Sequence, residues 1–349
     1  MLRSLQAGRG LAALAVVAFH LSVYLGDPRF GGDAVFWRFT RYGNLGVDFF
    51  FVLSGFIILH AHASDIGKPD RWPRYAYRRF ARLFPIYWIY TLGFLVLTAV
   101  TVGKLSPFAD EPRWWASVVT LVRFSEAAAP LFVAWTLFNE LAFYSLFSTL
   151  LLNRRLGLAV LAIWAVTCAV LFHYQQPLTG TAGDVYSSAY NFNFFLGMGA
   201  WWLSRRVIPG WPLLGAGLAV VVAGLIGGYS DHEISLLVYA IGFALVVAGA
   251  ARLEALGSLV VPRVLTHLGD ASYSLYLLHV PMIAVSLRLL QKPNVEALIG
   301  RGLLYLVVLV MTLAGGLTVY RWVERPLIER LRRFSPFDRS PAASEPRDQ

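Results

Sequence analysis

The first apolar segment of the chain contains an arginine, Arg9, and, eleven residues later, a histidine, His20. Eleven residues of α-helix make about three full turns, so both side chains lie on one face of the helix, roughly 16 Å apart along its axis. Ionisable groups inside a membrane helix are costly and usually mark a pathway or a reaction centre. The alternative is an arginine that extends to the membrane surface and a histidine that bonds to its neighbours. We interpret the pair as functional.

A glutamate, Glu140, lies within the fourth apolar segment, at a depth similar to that of His20. A buried carboxylate beside a histidine suits acyl transfer, because the carboxylate fixes the imidazole tautomer and stabilises the imidazolium. We therefore predict that His20 and Glu140 are catalytic, with Glu140 orienting His20. The alternative is a lone glutamate that is hydrogen-bonded to neighbouring helices.

Three arginines, Arg78, Arg79 and Arg82, precede the third apolar segment. Guanidinium groups match the oxygens of phosphate, so this cluster could bind an anionic substrate. Positive charge on the cytoplasmic side of a membrane protein needs no ligand, and this explanation is equally good.

Asp48 begins the second apolar segment, and Ser54 lies about 9 Å deeper if the segment is helical. Asp48 either binds the hydroxyl of an acceptor or caps its helix, and its position in the first turn favours the cap.

Ser272, Tyr276 and His279 of the ninth apolar segment are spaced four and three residues apart, so they share a helix face. They either line a channel or hold helices together. We assign the following residues to substrate binding or to the lining of a pore: Asp48, Ser54, Trp135, Tyr144, Ser272, Tyr276 and His279.

The composition is that of a polytopic membrane protein. Of 349 residues, 57% are hydrophobic and 14% are charged, whereas a soluble domain carries about 25% charged residues. The net charge of +10 does not indicate nucleic-acid binding, because the basic residues lie in short loops between apolar segments. The single cysteine, Cys168, excludes an intrachain disulfide.

Ten segments approach the length of about 20 apolar residues that a helix needs to cross a membrane. They cover residues 8–26, 44–61, 82–102, 131–152, 156–173, 187–204, 211–228, 234–251, 271–290 and 301–323.

The loops predict that both termini are cytoplasmic. With that orientation about twenty basic residues lie inside and about nine outside, as the positive-inside rule requires. We interpret the first segment as a permanent helix and not as a signal peptide, because it has no cleavage site of small residues. We divide the chain into a membrane domain, residues 1–327, and a basic cytoplasmic tail, residues 328–349, which we expect to be disordered.

Motifs for other chemistries do not occur. The sequence contains no phosphate-binding loop, dinucleotide fingerprint, or zinc spacing of His and Cys, and no nucleophilic serine elbow. We therefore expect no metal and no bound cofactor.

Six motifs, taken together and in order, resemble acyltransferase family 3, the integral-membrane O-acyltransferases. They span residues 3–327 and are Arg9 with ten residues before His20, residues 46–56, Arg79-x-x-Arg82, Trp135-Thr-Leu-x-x-Glu140-x-x-Phe143-Tyr144, Ser272-Tyr-Ser-Leu-Tyr-Leu-Leu-His279 and Glu324-Arg-Pro. The residues around Trp135 are similar to the exopolysaccharide acetyltransferase branch.

The resemblance implies an all-α bundle of about ten helices in the bacterial inner membrane. It implies acyl-CoA as the donor, above all acetyl-CoA, and a hydroxyl of an exopolysaccharide or of its lipid-linked precursor as the acceptor. Arg9, Arg79 and Arg82 would bind the donor, and His20 and Glu140 would carry the chemistry. The expected partners are thus acyl-CoA, a carbohydrate or lipid-linked glycan, the lipid bilayer and proteins that assemble glycans.

Two other functions remain open. A transporter of lipid-linked sugars would also place Arg, Glu and His inside a bundle, and it predicts inverted repeats. A scaffolding subunit of a glycan-assembly complex would tolerate loss of His20.

Overall fold

The computed structural model describes residues 2–171, 181–228, 233–290 and 293–337, and these residues form helices and loops without a strand. The helices are α1 (Arg3–Gly26), α2 (Trp37–Thr40), α3 (Gly46–His62), α4 (Trp72–Val102), α5 (Pro112–Thr120), α6 (Trp135–Leu152), α7 (Arg154–Val170), α8 (Ala182–Ser187), α9 (Asn191–Ser204), α10 (Gly210–Ile226), α11 (Glu233–Ala255), α12 (Arg263–Asp270), α13 (Ser272–Leu290), α14 (Pro293–Val319) and α15 (Arg325–Arg333). The predicted all-α fold is confirmed.

Six helical stretches of the described residues are long and apolar enough to cross a membrane. They are Arg3–Gly26, Trp37–Asp65, Pro69–Val102, Leu236–Ala255, Ser272–Leu290 and Leu298–Arg333. Each of the ten predicted segments contains a helix, but the count of ten spans is not confirmed.

The four remaining helices, α6, α7, α9 and α10, are short or interrupted by polar residues. With 14 residues, α9 is about 21 Å long, less than the ~30 Å of a hydrocarbon core. Asn139 and Glu140 lie within the 18 residues of α6. The cytoplasmic location of both termini stays a prediction.

Helix α1 lies at the centre of the bundle, where it contacts α3, α11, α12, α13 and α14. Its apolar face is fully buried, with Ala13, Val16, Val17 and Leu21 at 0% exposure. Because α1 is surrounded by other helices, its polar side chains face protein and cavity more than lipid.

Helices α3 and α9 approach each other closely through glycines, as membrane helices often do. A Cβ atom at Gly197 would lie 1.9 Å from the carbonyl oxygen of Val52, and one at Gly55 would lie 2.0 Å from that of Phe194. The contact fixes α3, which lines the site described below.

The chain stays helical beyond α14. Proline usually disrupts or ends a helix, but at Glu324-Arg-Pro the chain passes through a π-helical turn, Tyr320–Glu324, directly into α15. Pro326 is the second residue of α15 and directly follows the π-helical turn, so the chain stays helical at a residue that has no N–H donor. Residues 328–333 of the predicted tail are therefore helical, and residues 338–349 lie outside the described part.

Gly197→Ala is expected to lower the free energy of unfolding by about 1–3 kcal/mol, because the added methyl group must push α3 and α9 apart. Gly199→Ala, in the same helix, is the matched control, since a Cβ there meets nothing within 4 Å. Alanine is favoured over glycine in a helix by up to about 1 kcal/mol, so the control should be neutral or slightly stabilising. Thermal unfolding in detergent measures both, and equal midpoints would contradict the close contact.

Candidate active site

One cavity of about 1110 Å³ lies between α1, α3, α4, α6, α12, α13 and the α14–α15 junction. Helix α3 lines it from Val47 to Ile58, about 16 Å of helix, so the cavity follows the long direction of the bundle. It brings together eight of the twelve residues that the sequence assigned to catalysis, donor binding or substrate binding: Arg9, Ser54, Arg79, Arg82, Glu140, Tyr144, Ser272 and Tyr276.

One end of this cavity is strongly basic. Seven arginines line it, near the starts of α1 and α4 and on α15, against four carboxylates. The arginines are Arg3, Arg9, Arg78, Arg79, Arg82, Arg325 and Arg332. Such an excess of guanidinium groups inside a cavity favours an anionic ligand.

Arg79 is held by aromatic rings. Its guanidinium carbon lies 5.5 Å from the ring centroid of Tyr144 and 6.0 Å from that of Tyr75. Tyr144 in turn donates its hydroxyl proton to Glu140, and the hydroxyl of Tyr75 donates to the carbonyl oxygen of Tyr144 over 2.9 Å. Within the described part of the chain, the buried Nε of Arg79 has no hydrogen-bond partner. A buried donor without a partner is rare and is what a bound anion would satisfy.

Arg82 makes an ion pair with Glu324, with 3.6 Å between Nη1 and Oε1. The side chain of Glu324 is 1% exposed and that of Arg82 31% exposed. The other carboxylate oxygen of Glu324 accepts hydrogen bonds from the backbone N–H of Ser274 (3.1 Å) and from its hydroxyl (2.5 Å). The Ser274 hydroxyl also bonds to that of Tyr90 over 2.6 Å.

The sequence analysis missed the role of Glu324, because it used Glu324-Arg-Pro only as one of the motifs of the family resemblance and assigned the glutamate no contact. The available signal was a carboxylate at the end of an apolar segment, on the side of the bundle where α4 carries its arginines. The π-helical turn places this carboxylate inward, and such turns often occur at functional sites.

Arg9 lies close enough to the other charges of the cavity to interact with them electrostatically. Glu140 and Glu324 attract it, and Arg82 repels it. Arg9, Arg79 and Arg82, the three arginines assigned to donor binding, all line this cavity. A bound anion would relieve the repulsion between Arg9 and Arg82.

His20 contacts a second histidine, His279. Nε2 of His279 lies 3.2 Å from Nδ1 of His20, and the ring centroids are 4.8 Å apart. His279 is fully buried, whereas His20 is partly exposed. The ring of His279 also lies 5.9 Å from that of Tyr276, which lines the cavity.

The structure does not bring Glu140 and His20 together as a hydrogen-bonded pair. Glu140 accepts the Tyr144 proton in the cavity wall, whereas Nδ1 of His20 bonds to the carbonyl oxygen of Val16 and to His279. Equal depth in the membrane does not fix which neighbour each side chain faces.

Four of the residues that the sequence assigned to the site lie outside the cavity lining: the histidines His20 and His279, and also Asp48 and Trp135. Asp48 is in the first turn of α3 and accepts a hydrogen bond from the amide of Asn193 over 2.8 Å, which joins α3 to α9. Trp135 packs against Phe51 and Tyr190, with ring centroids 6.2 and 5.2 Å apart. Both positions suit a structural role.

Arg82→Met should lower the free energy of unfolding, because it removes the ion-pair partner of the buried Glu324 carboxylate. The double variant, Arg82→Met with Glu324→Gln, should lose less free energy of unfolding than the sum of the losses in the two single variants. We expect a coupling energy of about 1 kcal/mol, at the lower end for interacting residues since Arg82 is partly exposed. The exposed pair of Asp27 and Arg29 is the matched control and should show little coupling. Additive losses at Arg82 and Glu324 would contradict the ion pair.

Comparison with known proteins agrees with the resemblance to acyltransferases that the six sequence motifs indicated. Residues 2–321 match the family model described as an acyltransferase domain. The exopolysaccharide production protein ExoZ of Rhizobium meliloti (strain 1021) is 30% identical over 82% of this chain and 90% of its own length. The putative peptidoglycan O-acetyltransferase YrhL of Bacillus subtilis (strain 168) is 26% identical over 95% of this chain and 55% of its own length.

A third relative, the acyltransferase MdmB of Streptomyces mycarofaciens, is 25% identical over 97% of this chain and 95% of its own length. No solved structure matches the chain. The family model covers nearly all of the chain, including Arg9, His20 and the arginines of α4. The chain therefore belongs to this acyltransferase family and is an O-acyltransferase with membrane-spanning helices.

Proposed function

We propose that the protein transfers an acyl group, above all acetyl, from acyl-CoA to a hydroxyl of an exopolysaccharide or of its lipid-linked precursor at the bacterial inner membrane. The observation that carries the proposal is the cavity, which is lined by seven arginines and reaches Tyr276, beside the histidine pair.

The shape and charge of the cavity fit this donor. Coenzyme A is a long molecule with anionic phosphates at one end and a thioester at the other. Arg9, Arg79 and Arg82 would bind the phosphates at the basic end. His20 lies on the same helix as Arg9, roughly 16 Å further along the axis, which leaves room for the uncharged arm between phosphates and thioester.

The chemistry that this arrangement supports is general-base catalysis by His20. The imidazole takes the proton of the acceptor hydroxyl, and the oxygen forms a bond to the thioester carbonyl carbon. The carbon–sulfur bond then breaks, and the proton on the imidazole passes to the leaving thiolate. The products are an ester and free coenzyme A, and the histidine returns to its neutral form.

Glu140 belongs to the proposed site through Tyr144. Its carboxylate accepts the Tyr144 proton, and the ring of Tyr144 supports the guanidinium of Arg79. In this proposal Glu140 holds the wall of the donor cavity in place, in addition to any charge that it supplies to the reaction.

The relatives support a glycan as the acceptor. Their names give exopolysaccharide production for one relative and peptidoglycan O-acetylation for another. Both materials offer sugar hydroxyls, which is the group that His20 would deprotonate.

His20→Ala should lower acetyl transfer by roughly 10²–10⁴-fold, the contribution of a general base. Purified protein in proteoliposomes is given radiolabelled acetyl-CoA with crude lipid-linked and polymeric glycans, and label in the glycan is counted. His60→Ala, which removes an exposed histidine of α3 outside the cavity lining, should transfer like the wild type. A wild-type rate in His20→Ala would remove this residue from the mechanism. Movement of lipid-linked sugar across the bilayer without acetyl transfer would instead indicate a transporter.

Arg9→Ala should weaken the binding of acetyl-CoA by about 10- to 100-fold, because a buried hydrogen bond to a charged group contributes about 1.5–3 kcal/mol. Calorimetric titration of the detergent-solubilised protein measures the affinity. Arg155→Ala, which removes an exposed arginine at the start of α7, is the control and should bind normally. Unchanged affinity in Arg9→Ala would assign Arg9 to structure.

A further inference from the structure

We infer that His279 is the positioning residue of His20, and that it holds His20 with the proton on Nδ1 and the lone pair on Nε2. This inference rests on the proposed function, in which His20 is the general base. It gives a histidine of α13 the orienting role that the sequence analysis assigned to Glu140.

The hydrogen bonds of His279 fix its own tautomer. Nδ1 of His279 lies 2.7 Å from the carbonyl oxygen of Tyr276 and 3.2 Å from that of Leu275. Carbonyl oxygens only accept hydrogen bonds, so Nδ1 of His279 carries the proton. In the neutral ring Nε2 is then an acceptor.

That acceptor faces Nδ1 of His20, at 3.2 Å. The same Nδ1 lies 3.0 Å from the carbonyl oxygen of Val16, which also needs a donor. Both contacts therefore require the proton of His20 on Nδ1. The other tautomer would point a nitrogen lone pair at a carbonyl oxygen and at a second lone pair.

The free nitrogen of His20 is consequently Nε2. Across the described ranges of the chain, no hydrogen bond engages this nitrogen, and the His20 side chain is partly exposed. A nitrogen lone pair without a hydrogen-bond partner, on a partly exposed side chain, is what the proposed removal of a hydroxyl proton needs.

His279 also stabilises the charged form of His20. When Nε2 takes the acceptor proton, His20 becomes an imidazolium, and its Nδ1–H bond to His279 becomes charge-assisted and stronger. Because His279 is itself neutral, the resting site needs no carboxylate partner, whose burial at this depth would be costly.

The position of His279 is rigid, as a positioning role requires. Its side chain has no solvent exposure, its ring is bonded to the backbone of its own helix, and α13 packs directly against α1. Tyr276, one turn away, lines the donor cavity, so His279 also links this wall to His20.

The kinetic test replaces His279 with phenylalanine or with glutamine. Phenylalanine fills the space but cannot accept the Nδ1–H bond, and we expect kcat for acetyl transfer to fall at least about 10-fold, less than the loss in His20→Ala. KM for acetyl-CoA should stay within about twofold, because the arginines are untouched. Glutamine, whose side-chain oxygen can accept the bond, should recover most of kcat. A purely structural role would reduce donor binding and protein yield in both variants and would not distinguish glutamine from phenylalanine.

The spectroscopic test does not depend on activity. Nitrogen-15 NMR of histidine-labelled protein in proteoliposomes distinguishes protonated from unprotonated ring nitrogens, and His20→Ala identifies the His20 signals. We expect a protonated Nδ1 and an unprotonated Nε2 in the wild type. A proton on Nε2 of His20, or wild-type kcat in His279→Phe, would overturn the inference. If His20→Ala retained transfer while NMR gave the expected tautomer, the histidine pair would stand and the proposed general base would fail.

Discussion

The cost of placing ionisable groups at membrane depth is the constraint on which the rest of the structure depends. Arg9 and His20 share one helix, and α1 is the helix that six others contact. Central packing allows Arg9 to line the cavity and His20 to contact His279 of a neighbouring helix, and it protects both from lipid. Two further features complete this enclosure. The close α3–α9 contact fixes α3, which forms one wall of the cavity. The π-helical turn after α14 places Glu324 inside the bundle, beside Arg82 of α4 and Ser274 of α13.

Charge is distributed unequally along the enclosed space. Arginines gather at one end, where two of them have a stabilising neighbour: Glu324 for Arg82, and the ring of Tyr144 for Arg79. The histidine pair beyond Tyr276 is bonded to backbone carbonyls and to itself. In the proposed function, the phosphates of the donor would therefore bind in one region and its neutral thioester in another. A donor bound in this way has its orientation set by electrostatics before any group touches the reacting atoms.

The sequence predicted the positions of the helices well, but it predicted poorly which side chains of different helices contact each other. Hydrophobic length located a helix in every predicted segment, and polar residues at membrane depth identified eight side chains that do line one cavity. Spacing along one helix cannot say which other helix a side chain faces. Glu140 was predicted to orient His20 because both lie deep in the membrane. Its carboxylate instead accepts a hydrogen bond from Tyr144, one turn along the same helix. His279 was recognised only as a lining residue, because its contact with His20 joins positions 259 residues apart.

The most direct test of the account is the location of the donor. Acetyl-CoA with a photoreactive azide on its adenine ring is crosslinked to the protein in proteoliposomes, and mass spectrometry identifies the labelled peptides. If the basic end of the cavity binds the donor, label falls on the start of α4 or on α15, and excess coenzyme A abolishes it. Label on the α10–α11 pair or on residues 103–130, or label that coenzyme A does not displace, would contradict the proposed site.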